Sequence, residues 1–245
     1  MSAGTRPQGV EGDAQIAGWV RRMFDDVAPR YDLLNHLLSL NVDKYWRNRT
    51  AARLEEILRR PNIKAVDLCC GSGDLLLTLQ RQAPVPLTGS DFSHQMLRVA
   101  AEKIRKRGAP SLLFEGDAMR LPLADQSIDL VSAAFGFRNL VNYRLGLQEM
   151  LRVLKPGGTA AILEFSTPPN PAFRALYDFY SRRVLPVVGG WISGSREAYR
   201  YLPESVRKFP AAPELAAQMR EAGFVEVRFH RMTFGIVSLH IGTRP

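Results

Sequence analysis

The chain has 245 residues, 46% of them hydrophobic, and a net charge of +9, which suits one domain with a sizeable core and an added cap. No apolar run approaches the roughly 18 to 20 residues that span a bilayer, and residues 1–13 lack the apolar stretch of a secretory signal, so we expect a cytoplasmic protein with a disordered tail over residues 1–13. The positive charge is spread over short groups without interleaved aromatic residues, which disfavours nucleic acid and favours solvated surface or attraction to anionic lipid headgroups.

The predicted elements begin with helices and continue as alternating strands and helices. Residues 14–60 have helical periodicity and form the expected N-terminal helical cap. Strands are predicted at about residues 63–68, 85–90, 111–115, 128–134 and 158–164, with helices at about 74–82, 93–107 and 143–153. Two more strands, at about 224–229 and 234–241, follow near the end. This alternation predicts an α/β fold with a mostly parallel sheet and helices on both faces.

The segment from Val66 to Asp91 is the strongest indication of a ligand. An apolar run through Asp67 ends in the turn Gly71-Ser72-Gly73, and a second short strand ends on Asp91. This order is typical of a nucleotide-type cofactor site in a doubly wound domain. The glycines allow close approach of the backbone to a ligand, and the Asp91 carboxylate suits the two hydroxyls of a ribose. An ordinary tight turn between strand and helix is the alternative.

The turn favours S-adenosylmethionine over a dinucleotide. A pyrophosphate fingerprint has a third glycine where Leu76 stands, and Asp74 places a negative charge where the pyrophosphate would lie. S-adenosylmethionine has no phosphate and carries a sulfonium cation, which acidic neighbours tolerate or favour. The residues predicted to contact it here are Asp67, Gly71, Ser72, Gly73, Asp91 and Phe92.

Two later segments follow strands and belong to the same site, because ligands lie at the carboxyl ends of parallel strands. Gly116-Asp117-Ala118 follows the third strand, and the Asp117 carboxylate suits the adenine amino group. Capping of a turn by Asp117 is the alternative. The segment 133–139 follows the fourth strand, where Ala134 is expected beside the cofactor and Arg138 and Asn139 offer polar contacts.

The other reactive side chains form no familiar catalytic or metal-binding pattern. The four histidines (His36, His94, His230 and His240) are scattered, and the adjacent Cys69 and Cys70 lack the spacing of a metal motif. No strand is followed by the G-x-S-x-G elbow of a hydrolase. We predict no metal, which direct transfer of a sulfonium methyl group does not require.

Several blocks of the sequence resemble the ubiquinone/menaquinone biosynthesis C-methyltransferase family. They are Tyr31-Asp32-Leu33-Leu34-Asn35 with Ser39 and Trp46, Phe135-Gly136-Phe137-Arg138-Asn139, Arg152-Val153-Leu154-Lys155-Pro156-Gly157-Gly158 running to Glu164-Phe165-Ser166, Tyr180 to Pro186 with Gly189, and Ala198-Tyr199-Arg200-Tyr201-Leu202. The resemblance covers residues 20–243. Asp43 stands where the family usually has His, which argues against a catalytic part for that imidazole, and Ala134 replaces a common hydroxyl residue.

The resemblance implies a Rossmann-like class I S-adenosylmethionine-dependent methyltransferase with a seven-stranded sheet, as one domain over residues 14–245. By position, the family's cofactor residues fall on Ser72, Asp91, Asp117 and Ala118. The implied acceptor is a prenylated quinol, whose ring carbon attacks the sulfonium methyl once a neighbouring hydroxyl loses its proton.

For this reaction we hypothesise that Arg138 and Asn139 stabilise the developing oxyanion and that Tyr31 orients the ring. Arginine is too basic to accept the proton itself. Pairing of Arg138 with a buried acid, Asp117 or Glu164, is the alternative, as is a core position for Tyr31.

The acceptor is expected to be demethylmenaquinol. The alternatives are 2-methoxy-6-polyprenyl-1,4-benzoquinol of ubiquinone biosynthesis, another lipid-like acceptor and, last, a non-catalytic protein that binds the cofactor or nucleic acid.

An insertion over residues 171–209 repeats Phe173, Leu176, Tyr177, Tyr180 and Val184 at helical spacing. It is predicted to be either a core-facing helix or a lid that receives an isoprenoid tail and rests peripherally on the inner face of the membrane. A homo-oligomer is a further expectation.

Overall fold

The protein is described from a computed structural model over residues 4–7, 9–32, 36, 39–180, 183 and 196–245. Parts of two family-like blocks, Leu33 to Asn35 and most of the stretch from Tyr180 to Gly189, lie outside the described residues, as do Val184 and much of the predicted lid.

A seven-stranded sheet forms the centre of the molecule, with the strand order β3-β2-β1-β4-β5-β7-β6. The strands are β1 (Ala65–Leu68), β2 (Thr88–Asp91), β3 (Leu112–Glu115), β4 (Ile128–Ala134), β5 (Leu154–Phe165), β6 (Val225–Met232) and β7 (Val237–Thr243). The first five strands pair in parallel, whereas β7 runs antiparallel to both β5 and β6. The predicted α/β fold, with its mostly parallel sheet and closing hairpin, is therefore confirmed.

Helices connect the strands and cover the sheet. They are α1 (Asp13–Val27), α2 (Val42–Arg53), α3 (Glu55–Leu58), α4 (Asp74–Gln80), α5 (His94–Arg107), α6 (Tyr143–Val153), α7 (Pro171–Phe179), α8 (Arg196–Lys208) and α9 (Ala212–Glu221). Side chains fix several starts: Ser93 accepts from the Met96 N–H at α5, and Asn142 accepts from the Leu145 N–H at α6. These bonds satisfy backbone donors that the first turn of a helix leaves free.

The central strands β1, β4 and β5 are buried on both faces of the sheet, as a parallel sheet between helices requires. Successive residues of β4 point to opposite layers: Val131 packs with one apolar cluster and Leu130 with the other. The same alternation places Ile162 and Leu163 of β5 in different clusters. The sheet is therefore a rigid base, and ligands are confined to its open edge at the carboxyl ends of β1, β2 and β4.

The N-terminal segment differs from the predicted disordered tail. The Gly4 N–H donates to the Val141 carbonyl at 3.1 Å, and the Thr5 N–H donates to the Leu140 carbonyl at 2.8 Å. Thr5 is buried and its hydroxyl lies 2.7 Å from that of Tyr201. Paired backbone groups, which composition does not reveal, hold Gly4 and Thr5 against the loop after β4.

Candidate active site

Two adjoining cavities open at the carboxyl ends of β1, β2 and β4. The larger has a volume of about 410 Å³ and the smaller of about 100 Å³. Their common wall consists of Phe24, Tyr31, Cys69, Gly71 and Phe135. A ligand in one cavity is therefore next to a ligand in the other, which is the arrangement that a group-transfer reaction needs.

The two glycines of the turn have different surroundings: Gly71 lines the cavities, and Gly73 packs against α5. Gly71 has a φ of 54°, lines both cavities, and donates its N–H to Asp91 Oδ2 at 2.8 Å. Gly73 has a φ of 83° and lines neither cavity. A Cβ on Gly73 would lie 3.3 Å from the Cβ of Ala100, so this glycine allows α4 and α5 to pack closely.

Asp91 lies at the end of β2, buried at the rim of the larger cavity. Its Oδ1 accepts the Ser93 N–H at 2.9 Å, and together with the bond from Gly71 this orients the carboxylate. Burial raises the pKa of Asp91 to about 6, and the two backbone donors oppose that rise. Phe92 lines the same cavity, with the Arg21 guanidinium 5.6 Å from its ring centre.

Asp117 and Ala118 also line the larger cavity. Asp117 Oδ1 also accepts the Met119 N–H at 2.8 Å, so the turn-capping role is present beside the cavity position. Helix α1 covers the opposite side with small residues at a helical spacing of three and four, Ala14, Ala17 and Gly18. This small face leaves room for a ligand under α1.

The smaller cavity has an aromatic wall of three rings. The centres of Trp46 and Phe135 are 5.9 Å apart, those of Phe135 and Phe165 4.9 Å, and those of Trp46 and Phe165 6.2 Å. Tilted and edge-on rings at these distances attract each other and form an apolar surface. Such a wall suits an aromatic acceptor.

Arg138 lies in the smaller cavity as part of a buried ion pair with Glu164. Its Nη1 donates to Glu164 Oε1 at 3.1 Å and to the Phe135 carbonyl. The backbone N–H of Arg138 donates to Glu164 Oε2 at 3.2 Å. Burial raises the pKa of the Glu164 carboxyl, and the guanidinium opposes that rise. Nε of Arg138 makes no hydrogen bond to any described residue. The predicted pairing with a buried acid and the predicted place at the site thus both occur.

Asp67 and Ala134 line the smaller cavity. The sheet register places Asp67 beside Ser132, whose hydroxyl donates to Oδ1 at 2.7 Å. Oδ2 makes no hydrogen bond within the described part of the chain. Burial raises the pKa of Asp67 to about 7. A buried carboxylate with a free oxygen favours a cationic group nearby.

Asn139 lies against the larger cavity rather than beside Arg138 in the smaller one. Its Oδ1 accepts from the Tyr201 hydroxyl at 3.0 Å. The amide NH₂ is therefore the donor that Asn139 presents. Tyr201 itself lines the smaller cavity, so it joins the two cavities to the N-terminal segment at Thr5.

An ion-pair network ties the helical cap to the glycine turn. Lys103 Nζ lies 2.7 Å from Asp32 Oδ2 and 2.5 Å from Asp74 Oδ1, and it donates to the Ser72 hydroxyl at 3.2 Å. Ser72 in turn donates to Asp32 Oδ1 at 2.5 Å. Ser72 therefore lines the smaller cavity with its hydroxyl already bonded inside this network.

The second half of the network surrounds Asp43, the residue that departs from the family pattern. Asp43 pairs with Arg47 and accepts from Ser39 at 2.6 Å, and these partners lower its pKa against the effect of burial. The Nδ1 atom of His36 lies 2.7 Å from Asp43 Oδ2. Among the described residues, His36, Asp43 and Asp74 also form a group with the spacing of metal ligands. Because Arg47 and Lys103 neutralise both carboxylates, we interpret it as an ion-pair cluster.

The tertiary structure adds site residues that the sequence did not indicate. Trp46 and Tyr201 line the smaller cavity although their sequence blocks suggested no particular role. Phe24 and the small face of α1 cover the larger cavity. The spacing of Ala14, Ala17 and Gly18 is the one sequence feature that points to this surface.

The donors and acceptors of the larger cavity fit S-adenosylmethionine. Asp91 suits the ribose hydroxyls, and Asp117 suits the adenine amino group. In the adjoining smaller cavity, the free oxygen of Asp67 suits a cationic centre. The turn offers backbone N–H groups but bears Asp74 and lacks the third glycine, so a pyrophosphate does not fit.

Comparison with known proteins agrees with this geometry. The ubiE/COQ5 methyltransferase family matches residues 10–244. A protein named demethylmenaquinone methyltransferase from Thermus thermophilus is 47% identical over 224 residues, which are 91% of this chain and all of the relative. One with the same name from Deinococcus radiodurans is 45% identical over 246 residues and covers all of both chains. A crystal structure of an S-adenosylmethionine-dependent methyltransferase from Thermotoga maritima, 19% identical, has a TM-score of 0.65 over 91% of this chain and 99% of its own, a likeness of fold alone.

Proposed function

Since the chain belongs to the ubiE/COQ5 methyltransferase family and is therefore an S-adenosylmethionine-dependent methyltransferase, we propose that it methylates a ring carbon of demethylmenaquinol to give menaquinol. One observation carries this proposal: a cofactor-sized cavity shares a wall with a smaller cavity lined by Trp46, Phe135 and Phe165. The names of the most similar relatives support the choice of acceptor.

The cofactor is held, in this proposal, by residues of the larger cavity and its rim. Asp91 accepts from the ribose hydroxyls and Asp117 from the adenine amino group, with Ala118 and Phe92 beside the ring. Asp67, Gly71, Ser72 and Ala134 surround the methionine end. Gly73 acts indirectly, because it allows the close packing of α4 that shapes the turn.

S-adenosylmethionine supplies an electrophilic methyl group when bound. The ring carbon beside the deprotonated hydroxyl would form the new C–C bond as the methyl–sulfur bond of the cofactor breaks, with S-adenosylhomocysteine as the leaving group. Loss of the hydrogen from the same ring carbon would restore the aromatic ring, and the hydroxyl would regain its proton, so one proton in total is released to water. The aromatic wall holds the ring, Tyr31 orients it from the wall common to both cavities, and the free Nε–H of Arg138 stabilises the phenolate. The amide NH₂ of Asn139 assists from the cofactor side. Because Glu164 neutralises Arg138, this help is a directed hydrogen bond more than a net charge.

The test is transfer of radiolabel from methyl-labelled S-adenosylmethionine to demethylmenaquinol. We expect labelled menaquinol in the organic phase, and none with demethylmenaquinone that has not been reduced, because the oxidised ring is not nucleophilic. Absence of label from the reduced acceptor, with the cofactor bound normally, would contradict the proposal.

A benzoquinol of ubiquinone biosynthesis is the second candidate, because other relatives are named ubiquinone/menaquinone biosynthesis C-methyltransferase, including one from Geobacter sulfurreducens at 43% identity. The same labelled assay with 2-methoxy-6-polyprenyl-1,4-benzoquinol separates the two. We expect a higher kcat/KM for demethylmenaquinol. Label in a sterol or a phospholipid amine instead would move the assignment to another lipid-like acceptor.

A quinol with an isoprenoid tail resides in a membrane, so the protein is further proposed to contact a membrane surface peripherally. No described helix is long and apolar enough to cross a bilayer, while the net charge of +9 attracts anionic headgroups. Co-sedimentation with anionic vesicles at low salt, and release at high salt, is expected. Failure to bind at either salt concentration would remove this part of the proposal. A homo-oligomer, and the lack of a nucleic-acid partner, stay predictions.

A further inference from the structure

We propose that the isoprenoid tail of the acceptor leaves the smaller cavity along an apolar groove between α7 and the turn that joins β6 to β7. The inference rests on the proposed function, which supplies an acceptor with a tail. It assigns a binding site to a surface that has no part in the cofactor site or in the chemistry at the ring.

The groove is wide and mainly apolar. Its volume is about 730 Å³, against about 100 Å³ for the smaller cavity, which has room for a ring but not for a chain of isoprene units. Its lining comes from α7 and the β6–β7 turn with the segment before α7, namely Pro169, Asn170, Ala172, Phe173, Leu176, Arg231, Phe234 and Gly235.

The groove and the smaller cavity are linked through the β6–β7 turn. Trp46 lines that cavity, and its indole Nε1–H donates to the Thr233 hydroxyl at 2.7 Å. The next residue, Phe234, lines the groove. On the other side, the Ser166 N–H, directly after Phe165 of the aromatic wall, donates to the Ile236 carbonyl at 2.8 Å. One turn of the backbone thus separates the ring site from the groove.

The β6–β7 turn contains an aromatic residue, Phe234, that is both exposed to solvent and held in a strained backbone conformation. Phe234 has a φ of 55° and Thr233 a φ of 48°, in the left-handed region that bulky and β-branched residues rarely adopt. The Phe234 side chain is nevertheless 77% exposed and rests on Phe173, with 5.0 Å between ring centres. Such a strained and exposed aromatic residue adds little to folding, so a ligand that covers it explains its presence.

Helix α7 supplies the facing side of the groove with a further exposed apolar residue. Leu176 is 63% exposed and lines the groove one helical turn after Phe173. Arg174 holds the segment before α7 to this helix, because its Nε donates to the Pro168 carbonyl at 2.9 Å. A flexible hydrocarbon chain matches this surface, since it needs apolar contact and no specific hydrogen bond.

The experiment compares two acceptors that differ only in tail length, one isoprene unit against six or more, both reduced and dispersed in detergent. The variants are Phe234→Asn and Leu176→Gln. Asparagine tolerates a φ of 55°, so the first variant keeps the turn folded. Each variant is expected to raise KM for the long-tailed acceptor about tenfold, because apolar contact is lost, and to leave kcat and the KM for the short-tailed acceptor within about twofold.

The matched control is Leu145→Gln, which replaces an exposed leucine on α6, away from the groove. It is expected to behave as the wild type with both acceptors. An equal rise in KM for both tails, or no rise for either, would overturn the inference.

Two further outcomes are distinguishable. If the variants keep the wild-type preference for the long tail in detergent but no longer co-sediment with anionic vesicles, the surface binds lipid and the tail assignment is wrong. If the wild type methylates neither acceptor, the proposed function fails, and the tail assignment fails with it.

Discussion

At the scale of single residues, the buried pair of Arg138 and Glu164 is the centre of the proposed acceptor site. The side chains are 5% and 0% exposed. Removal of one partner leaves a buried charge without compensation, whereas removal of both charges does not. This difference allows the contribution of Arg138 to stability to be separated from its contribution to turnover.

We predict that Arg138→Leu lowers the free energy of unfolding by about 3–5 kcal/mol, because Glu164 is left charged and unpaired. The double variant Arg138→Leu with Glu164→Gln should recover most of that loss. Its kcat should still be lower than that of the wild type by roughly 100-fold, because the donor to the phenolate is gone. Urea denaturation and the labelled transfer assay measure the two effects.

The cofactor affinity of the double variant serves as the control and should match that of the wild type. Full turnover in a stable double variant would show that Arg138 is only a structural residue.

A second residue-scale prediction concerns Asp91 and pH. Burial raises its pKa to about 6, so the carboxylate proposed to accept from the ribose is present above about pH 6 and is lost as the pH falls below it. Affinity for S-adenosylmethionine should therefore weaken up to tenfold per pH unit below about pH 6. Calorimetric titrations from pH 5 to pH 8 would reveal this loss of affinity as an acidic limb in the plot of affinity against pH.

Two variants identify the group that titrates. Asp91→Asn should bind weakly with no limb near pH 6. Asp67→Asn should retain the limb, because Asp67 lines the smaller cavity and not the larger cavity where Asp91 lies. An affinity in the wild type that is constant over the whole range would disprove the role of Asp91.

At the scale of elements, β7 contains a buried histidine that affects stability. The side chain of His240 is 1% exposed, and Nε2 donates to the Ala212 carbonyl at 2.9 Å. Burial lowers its pKa to about 4. The neutral ring thus stabilises the fold above the ordinary pKa of 6.5, and that stability is lost as the pH falls toward 4.

We predict that this histidine makes the free energy of unfolding fall by roughly 2 kcal/mol between pH 7 and pH 5. His240→Gln should lose that part of the pH dependence, whereas His94→Gln, at an exposed position on α5, should keep it. Urea denaturation at the two pH values compares the three proteins. An unchanged pH dependence in His240→Gln would contradict the prediction.

The elements also differ in how well their bounds were predictable. The predicted and observed bounds of α6 agree, since its apolar spacing and the cap at Asn142 are both local features. The second strand was predicted from residue 85 but starts at Thr88. There the Gln80 side chain donates to the Val85 carbonyl and accepts from the Leu87 N–H, which holds the preceding residues in a loop. This competition depends on a side chain from another element.

At the scale of the whole molecule, the Lys103 network joins the N-terminal cap to the sheet. We predict that Lys103→Met lowers the free energy of unfolding by about 1–2 kcal/mol, because Asp32 and Asp74 lose a partly buried partner. It should also raise the KM for S-adenosylmethionine, because Asp32 and the Ser72 hydroxyl lose their shared donor. Thermal denaturation and steady-state kinetics test both effects.

Lys106→Met is the matched control on the same helix, because the one ion pair of Lys106 with a described residue is with the exposed Glu102. It should change neither stability nor KM appreciably. If the two variants behave alike, the network does not connect the cap to the cofactor turn.

The sequence by itself determined the order of elements, the cofactor turn and the class of reaction. These depend on local periodicity, on Gly71 and Asp91 at the ends of adjacent strands, and on residue blocks shared with a family. Local features suffice because parallel strands bring their carboxyl ends to one edge of the sheet.

Only the tertiary structure decided how the site is divided and supported. It placed Asn139 in the larger cavity and Arg138 in the smaller one, although the two are neighbours in sequence. It also brought Thr5 to Tyr201 across 196 positions of the chain. Such contacts arise from packing between distant segments, which no local pattern encodes. The turn at Gly71 was therefore readable from the sequence, and Glu164 was one of two acids considered for Arg138, whereas the pairing of Asn139 with Tyr201 was not.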